Sequence, residues 1–294
     1  MLHEQFLEPS VAGLCRLRLA VDSNPGPPFL FLHGLTRRWA TFLPLVPVVS
    51  QRFRPVLLDF RGHGDSDHRP PGEYHVVNYV DDVVRVIDAL HKSDPLQRVV
   101  IYGHSLGAMA AAAAAERRPE SVRAVILEDP PFDTMGSRLY DTPWGKYFAT
   151  LIEYVGLPLP PVEYARRLAS VQVHDPITGR VATLGEVRDA ASLRFMAAGF
   201  RTLDRQTLQT VTTGQWLAGY HRDEIFERVR CPILLLQADA KLGGMLTDEE
   251  AAAVQIASTD CTLVRMQGVS HVVHQGKPTE VGQLVATWLE SLGM

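Results

Sequence analysis

The sequence predicts an α/β fold, a doubly wound and mostly parallel sheet carrying an inserted helical cap. Three observations predict it. Short, continuous apolar runs alternate with longer helical patterns; the runs end abruptly at glycine, histidine or aspartate; and the alternation breaks once, between residue 133 and about residue 226, before resuming. In chain order, residues 14–21 alternate as an edge strand would, and Asn24-Pro25-Gly26-Pro27 marks a turn after them. Residues 28–32 (PFLFL) form an unbroken apolar run ending at His33-Gly34. Residues 54–58 repeat that pattern up to Asp59, and residues 98–102 repeat it up to Gly103. Residues 121–127, 231–236 and, more weakly, 262–266 complete the set. Runs of this length without polar alternation suit strands buried on both faces.

Between the strands, residues 77–91 place Val80, Val83, Val84, Ile87 and Leu90 close to i, i+3, i+4, i+7, a helical face. Residues 106–117 are alanine-rich and predict a central helix whose small side chains pack close to the sheet. Residues 248–257 and 279–292 read as surface helices. This βαβα order argues for the doubly wound class. In 133–226, Trp144, Tyr147, Phe148, Tyr164 and Trp216 occur at helical spacing with no buried-strand run. That segment is expected to be a cap, with residues 1–132 and 227–294 forming the core.

Composition bounds the function. Of 294 residues, 29 are basic and 33 acidic, for a net charge of −4. This balance advertises no concentrated positive face for nucleic acid. No apolar stretch reaches the ~18–20 residues that span a bilayer, and the start, MLHEQFLEPS, lacks the features of a secretory signal. Cys15, Cys231 and Cys261 are odd in number and unpatterned, which suggests a reducing compartment and neither disulfides nor a zinc site. A cytoplasmic protein acting on a small molecule is expected.

The chemistry concentrates in Gly103-His104-Ser105-Leu106-Gly107, a G-x-S-x-G pentapeptide directly after a strand and opening a helix. In that setting the serine occupies a sharp, strained turn with an exposed Oγ, and the flanking glycines let strand and helix backbones approach. His33-Gly34-Leu35 follows an earlier strand, where a loop contributes one backbone N–H to an oxyanion hole; the residue after the nucleophile contributes the other. The expected donors are Leu35 and Leu106. Asp59-Phe60-Arg61-Gly62-His63-Gly64-Asp65-Ser66 reads as a tight structural loop. The base is expected late in the chain, and His271, in the loop after residues 262–266, is the candidate. His63, His104 and His274 read as structural or surface residues. Arg37 and Arg38 could meet an acidic substrate group, though a solvated loop is the plainer reading.

These motifs, HGL at 33–35, DFRGHGDS at 59–66, GHSLG at 103–107 and GVSHVVH at 268–274, resemble those of the α/β-hydrolase superfamily over essentially the whole chain outside the cap. The resemblance implies an eight-stranded sheet, a Ser–acid–His triad and no cofactor or metal. Its usual acid position, about nine residues beyond Pro232, is occupied here by Lys241, with Asp239 two residues early. A second position used by some relatives, at the end of the strand after the nucleophile helix, is occupied by Asp129. Asp129 is favoured and Asp239 is the alternative, with Glu128 behind both. The implied reaction is hydrolysis of a hydrophobic or aromatic ester, lactone, carbamate or amide through an acyl-enzyme. Two other readings stand beside it: hydrolysis of a carbon–carbon bond in a β-diketone, and a non-catalytic ligand receptor. Oligomeric state has no signature in the sequence.

Overall fold

Strand-length apolar runs bury both faces only if helices cover both sides of their sheet. The computed structural model, which describes residues 1–175 and 177–294, has that arrangement. Eight strands form one sheet in the order β1-β2-β4-β3-β5-β6-β9-β10. They are β1 (Leu2–Leu7), β2 (Leu17–Asp22), β3 (Pro28–Leu32), β4 (Arg54–Leu58), β5 (Val99–His104), β6 (Val122–Glu128), β9 (Ile233–Ala238) and β10 (Cys261–Met266). From β4 to β10 every neighbouring pair is parallel; β1 and β2 add an antiparallel margin.

Side-chain alternation divides each run between two cores. Leu30, Leu32, Val56, Leu58 and Ile101 join one cluster, while Phe29, Phe31, Leu57, Val100 and Tyr102 join the other. Burial of each such side chain stabilises by about 1.5–3 kcal/mol, which explains the lack of polar residues in the central strands. The alanine-rich helix Leu106–Arg117 is buried from Leu106 to Ala115 and packs against β5, β6 and the helix Val76–Ser93. Side chains this small let it approach from both directions.

Two strand expectations need correction. Residues 14–21 were expected to form an edge, but β2 is internal because β1 pairs along its whole length. β1 (LHEQFL) is largely exposed, so it is held by the backbone ladder and leaves little apolar pattern to find. Strands β6 and β9 also run later than expected, to Glu128 and Ala238. Asp129 and Asp239 are therefore each the first residue beyond a strand.

Between β6 and β9 the chain leaves the sheet. Helices Pro143–Leu151, Pro161–Ala169, Ala190–Phe200 and Arg205–Thr212 are the longest of this insertion, with Arg222–Arg228 leading back. A hairpin of two three-residue strands, β7 (Gln172–His174) and β8 (Val181–Thr183), was not anticipated; of the residues in these two strands only Val173 is buried. Among the described residues, no helix is long and apolar enough to cross a membrane.

Candidate active site

The carboxyl ends of parallel strands are where doubly wound sheets present their ligand sites. The residues leaving β3, β5, β6 and β10 meet there. Ser105 follows β5 with φ 56° and ψ −118°, a conformation costing on the order of 1–3 kcal/mol for a residue with a Cβ. Its surroundings hold it. The Ser105 N–H donates to the Glu128 carbonyl at 2.9 Å, and its own carbonyl accepts from Ala108 and Met109. Glycine is required on both sides: a Cβ on Gly103 would lie 2.2 Å from the Gly107 carbonyl oxygen, and one on Gly107 would lie 2.0 Å from that of Leu32.

His271 reaches the same place from the loop after β10. Its Nδ1 donates to Asp129 Oδ2 at 2.6 Å, leaving Nε2 as the uncommitted ring nitrogen. Asp129 is fully buried, with φ 45°. Its carboxylate also accepts backbone N–H groups from Ala238 (3.1 Å), Met245 (2.8 Å) and Leu246 (3.2 Å). The loop after β9, which lacks an aspartate at the usual place, thus wraps its amides around Asp129. Asp239 does not reach His271. It caps the turn Ala240–Leu242, accepting from Lys241 N–H and Gly268 N–H. Glu128 points elsewhere, taking the Tyr102 hydroxyl and His274 Nδ1.

The other histidines are tied into the scaffold. His104 Nε2 donates to the His271 carbonyl at 3.1 Å, and its ring lies 4.7 Å from that of His271. Burial, reinforced by the neighbouring His271 and His274 rings, holds its pKa well below the usual histidine value. His33 accepts the Phe60 N–H on Nε2 and donates from Nδ1 to the Gly34 carbonyl; burial holds it neutral too. His63 lies against the Leu35 carbonyl and fixes that loop. His274 forms a sealed imitation of a triad, with Glu128 on Nδ1 and Thr41 Oγ1 at 2.8 Å from Nε2. Glu128, His274 and Thr41 are all fully buried, so substrate has no route to them. The loop after β4 is tight as expected: Ser66 Oγ donates to the Asp59 carbonyl, and burial raises the Asp59 carboxyl to about 6.

A cavity of about 820 Å³, mouth included, is lined by both Ser105 and His271. Leu35 lines it as well, and neither the Leu35 nor the Leu106 amide donates to a protein acceptor among the described residues. The insertion contributes Trp144, Tyr147, Phe148 and Trp216. Trp144 stacks on Phe148 and lies 6.1 Å, ring to ring, from His271. No group of side chains suited to hold a metal is present among the described residues.

The expectation of a solvated loop at Arg37 and Arg38 is overturned, since both side chains are half-buried. Arg37 lines the cavity, where burial lowers its guanidinium to about 10 with Arg188 repulsion as the next cause. Arg38 turns away to lie over the Phe195 ring. Arg188 and Asp175 also line the cavity, and sequence reading missed both. Their only signal was membership of the insertion, which carries no readable code for side-chain direction.

A family model described as alpha/beta hydrolase fold matches residues 27–272. Among curated proteins, a 2-(acetamidomethylene)succinate hydrolase of Mesorhizobium japonicum is 38% identical over 108 residues, 37% of each chain. A serine hydrolase-like protein of Danio rerio is 42% identical over 105 residues, 35% of this chain and 31% of its own length. These alignments thus span about a third of the curated relatives' length. Among solved structures, an E-2-(acetamidomethylene)succinate hydrolase superposes with a TM-score of 0.72 at 21% identity, over 99% of this chain and all of the other, a likeness of fold.

Proposed function

The chain belongs to the alpha/beta hydrolase fold family, and from that premise we propose that it is a serine hydrolase cleaving a carboxylic ester, lactone or related acyl bond through an acyl-enzyme. The observation that carries this reading is the 2.6 Å contact of Asp129 with His271 in a cavity shared with the strained Ser105. Ser105 Oγ attacks the carbonyl carbon while His271 Nε2 takes its proton. Asp129 fixes the imidazole tautomer and stabilises the imidazolium that forms. The Leu35 and Leu106 N–H groups receive the oxyanion, each contributing a few kcal/mol toward lowering the barrier. The leaving alcohol or amine takes the proton from His271, and water releases the acid by the same route. Residues 133–226 serve as the cap, its aromatic wall excluding water from the acyl group. The names of the relatives, one a hydrolase of an acylamino compound and one serine hydrolase-like, support the same class.

The test is turnover of 4-nitrophenyl and lactone substrates by the wild type, Ser105→Ala and His271→Ala proteins. Turnover lost in both variants supports the proposal, whereas turnover that survives Ser105→Ala contradicts it. Product analysis separates acyl transfer from carbon–carbon cleavage, since only the former releases an alcohol or amine. A receptor role is disfavoured because the chain keeps a serine, a histidine and a carboxylate at the proposed positions 105, 271 and 129.

A further inference from the structure

We propose that the serine-hydrolase site described above selects acyl substrates carrying a carboxylate, held by Arg37 and Arg188. The claim rests on that reading of the site and adds its substrate class. Arg37 and Arg188 come from separate parts of the chain, the loop after β3 and the inserted segment, yet line one cavity with Ser105 and His271. The two guanidinium groups are close enough to repel one another. Neither has a side-chain hydrogen bond or an ion pair within 4 Å among the described residues.

 By contrast, Arg61, Arg69, Arg117, Arg118 and Arg205 each hold a carboxylate oxygen within 3 Å. Asp175 is the one carboxylate on the cavity wall among the described residues; Arg188 lies within electrostatic reach of it, but its oxygens are taken up by its own turn. It accepts from Thr178 Oγ1 at 2.6 Å and from the Ile177 N–H at 3.0 Å. Two half-buried cations against one carboxylate leave one positive charge in excess, which calls for an anion from outside the chain, because burying a charge without a partner is costly. A guanidinium offers a planar fork that matches a carboxylate in two parallel hydrogen bonds. The anion and the scissile carbonyl then belong to one molecule, with the carboxylate on the cap side and the carbonyl over Ser105.

Two measurements test this, one of which needs no turnover. The first compares kcat/KM for mono-4-nitrophenyl glutarate, which carries a carboxylate, with that for neutral 4-nitrophenyl butyrate. The wild type is expected to favour the charged ester by about ten- to a hundredfold, the range for a hydrogen-bonded charge. Arg37→Met should remove at least tenfold of that ratio, and Arg38→Met, outside the cavity, should leave it as it was. If Arg37→Met does not fold, Arg188→Met carries the same comparison. The second is calorimetric binding of glutarate itself, expected in the wild type and weakened at least tenfold in Arg37→Met or Arg188→Met. A charged-to-neutral ratio at or below one overturns the inference. So does a ratio indifferent to both arginine variants, or the absence of glutarate binding by the wild type. Ester turnover that depends on Ser105 but ignores the carboxylate sinks this inference alone, whereas turnover that survives Ser105→Ala sinks the hydrolase reading.

Discussion

Replacing Asp129 with asparagine perturbs the site at its most connected point. The carboxylate accepts three backbone N–H groups and the His271 Nδ1–H, using both oxygens. Asparagine keeps one oxygen and puts an NH₂ where the other stood, so at least one buried donor faces another donor. If the NH₂ turns toward Met245 and His271, both lose their acceptor, because both use Oδ2. If it turns the other way, Ala238 and Leu246 lose theirs. Either flip strands two donors, a cost of about 2–5 kcal/mol in stability. The first flip also favours the tautomer of His271 that cannot accept the serine proton, which in the serine-protease example lowers kcat by about 10⁴. Asp239→Asn disturbs only an exposed turn cap. The assay is kcat on a 4-nitrophenyl ester for both variants, below their melting midpoints and corrected for folded fraction by circular dichroism. We expect Asp129→Asn to lose about a thousandfold or more and Asp239→Asn to stay within a few-fold of wild type. A larger loss in Asp239→Asn, or near-normal turnover in Asp129→Asn, would refute the reasoning.

Three further outcomes are expected. His274→Ala should destabilise the fold by about 2–4 kcal/mol through the loss of the imidazole between buried Glu128 and Thr41; ester turnover should nonetheless persist at low temperature, and its complete loss there would show that the wrong histidine has been taken as base. Gly107→Ala should cost more than about 3 kcal/mol, because its Cβ cannot coexist with the Leu32 carbonyl 2.0 Å away; an unchanged melting midpoint would contradict the elbow geometry. Stability should fall as pH drops below about 6.5, the ordinary histidine value. There the unfolded chain takes up protons at His33 and His104 that the folded state refuses, at about 1.4 kcal/mol per pH unit for each. Asp59, raised to about 6, acts with the opposite sign between pH 3.8 and 6, where the folded state holds the extra proton, so it offsets about one of those two slopes. Denaturant unfolding at pH 7 and pH 5 measures the difference, and greater stability at pH 5 would sink it.

How much was legible in the sequence depended on whether a feature is written in local residue types. The central strands and the elbow were legible because they rest on backbone approach and two-faced burial, which select PFLFL and G-x-S-x-G directly. The carboxylate that meets His271 was half legible. Its strand-end position could be counted, but the choice between Asp129 and Asp239 turned on which loop supplies amides to which carboxylate, and amides leave no trace in residue identity. Strand β1 was illegible because an exposed edge needs no apolar alternation. Arg37 was misread for a related reason: its burial comes from a segment far along the chain that folds back over it, and Arg188 and Trp144 enter the cavity by the same long-range packing.

The central claim, that Ser105 carries an activated hydroxyl, is tested most directly by labelling with a fluorophosphonate and mapping the adduct by peptide mass spectrometry. One adduct on Ser105, absent from Ser105→Ala and strongly slowed in His271→Ala, is the predicted result. An adduct on another residue, or none on a folded wild-type protein, would contradict it.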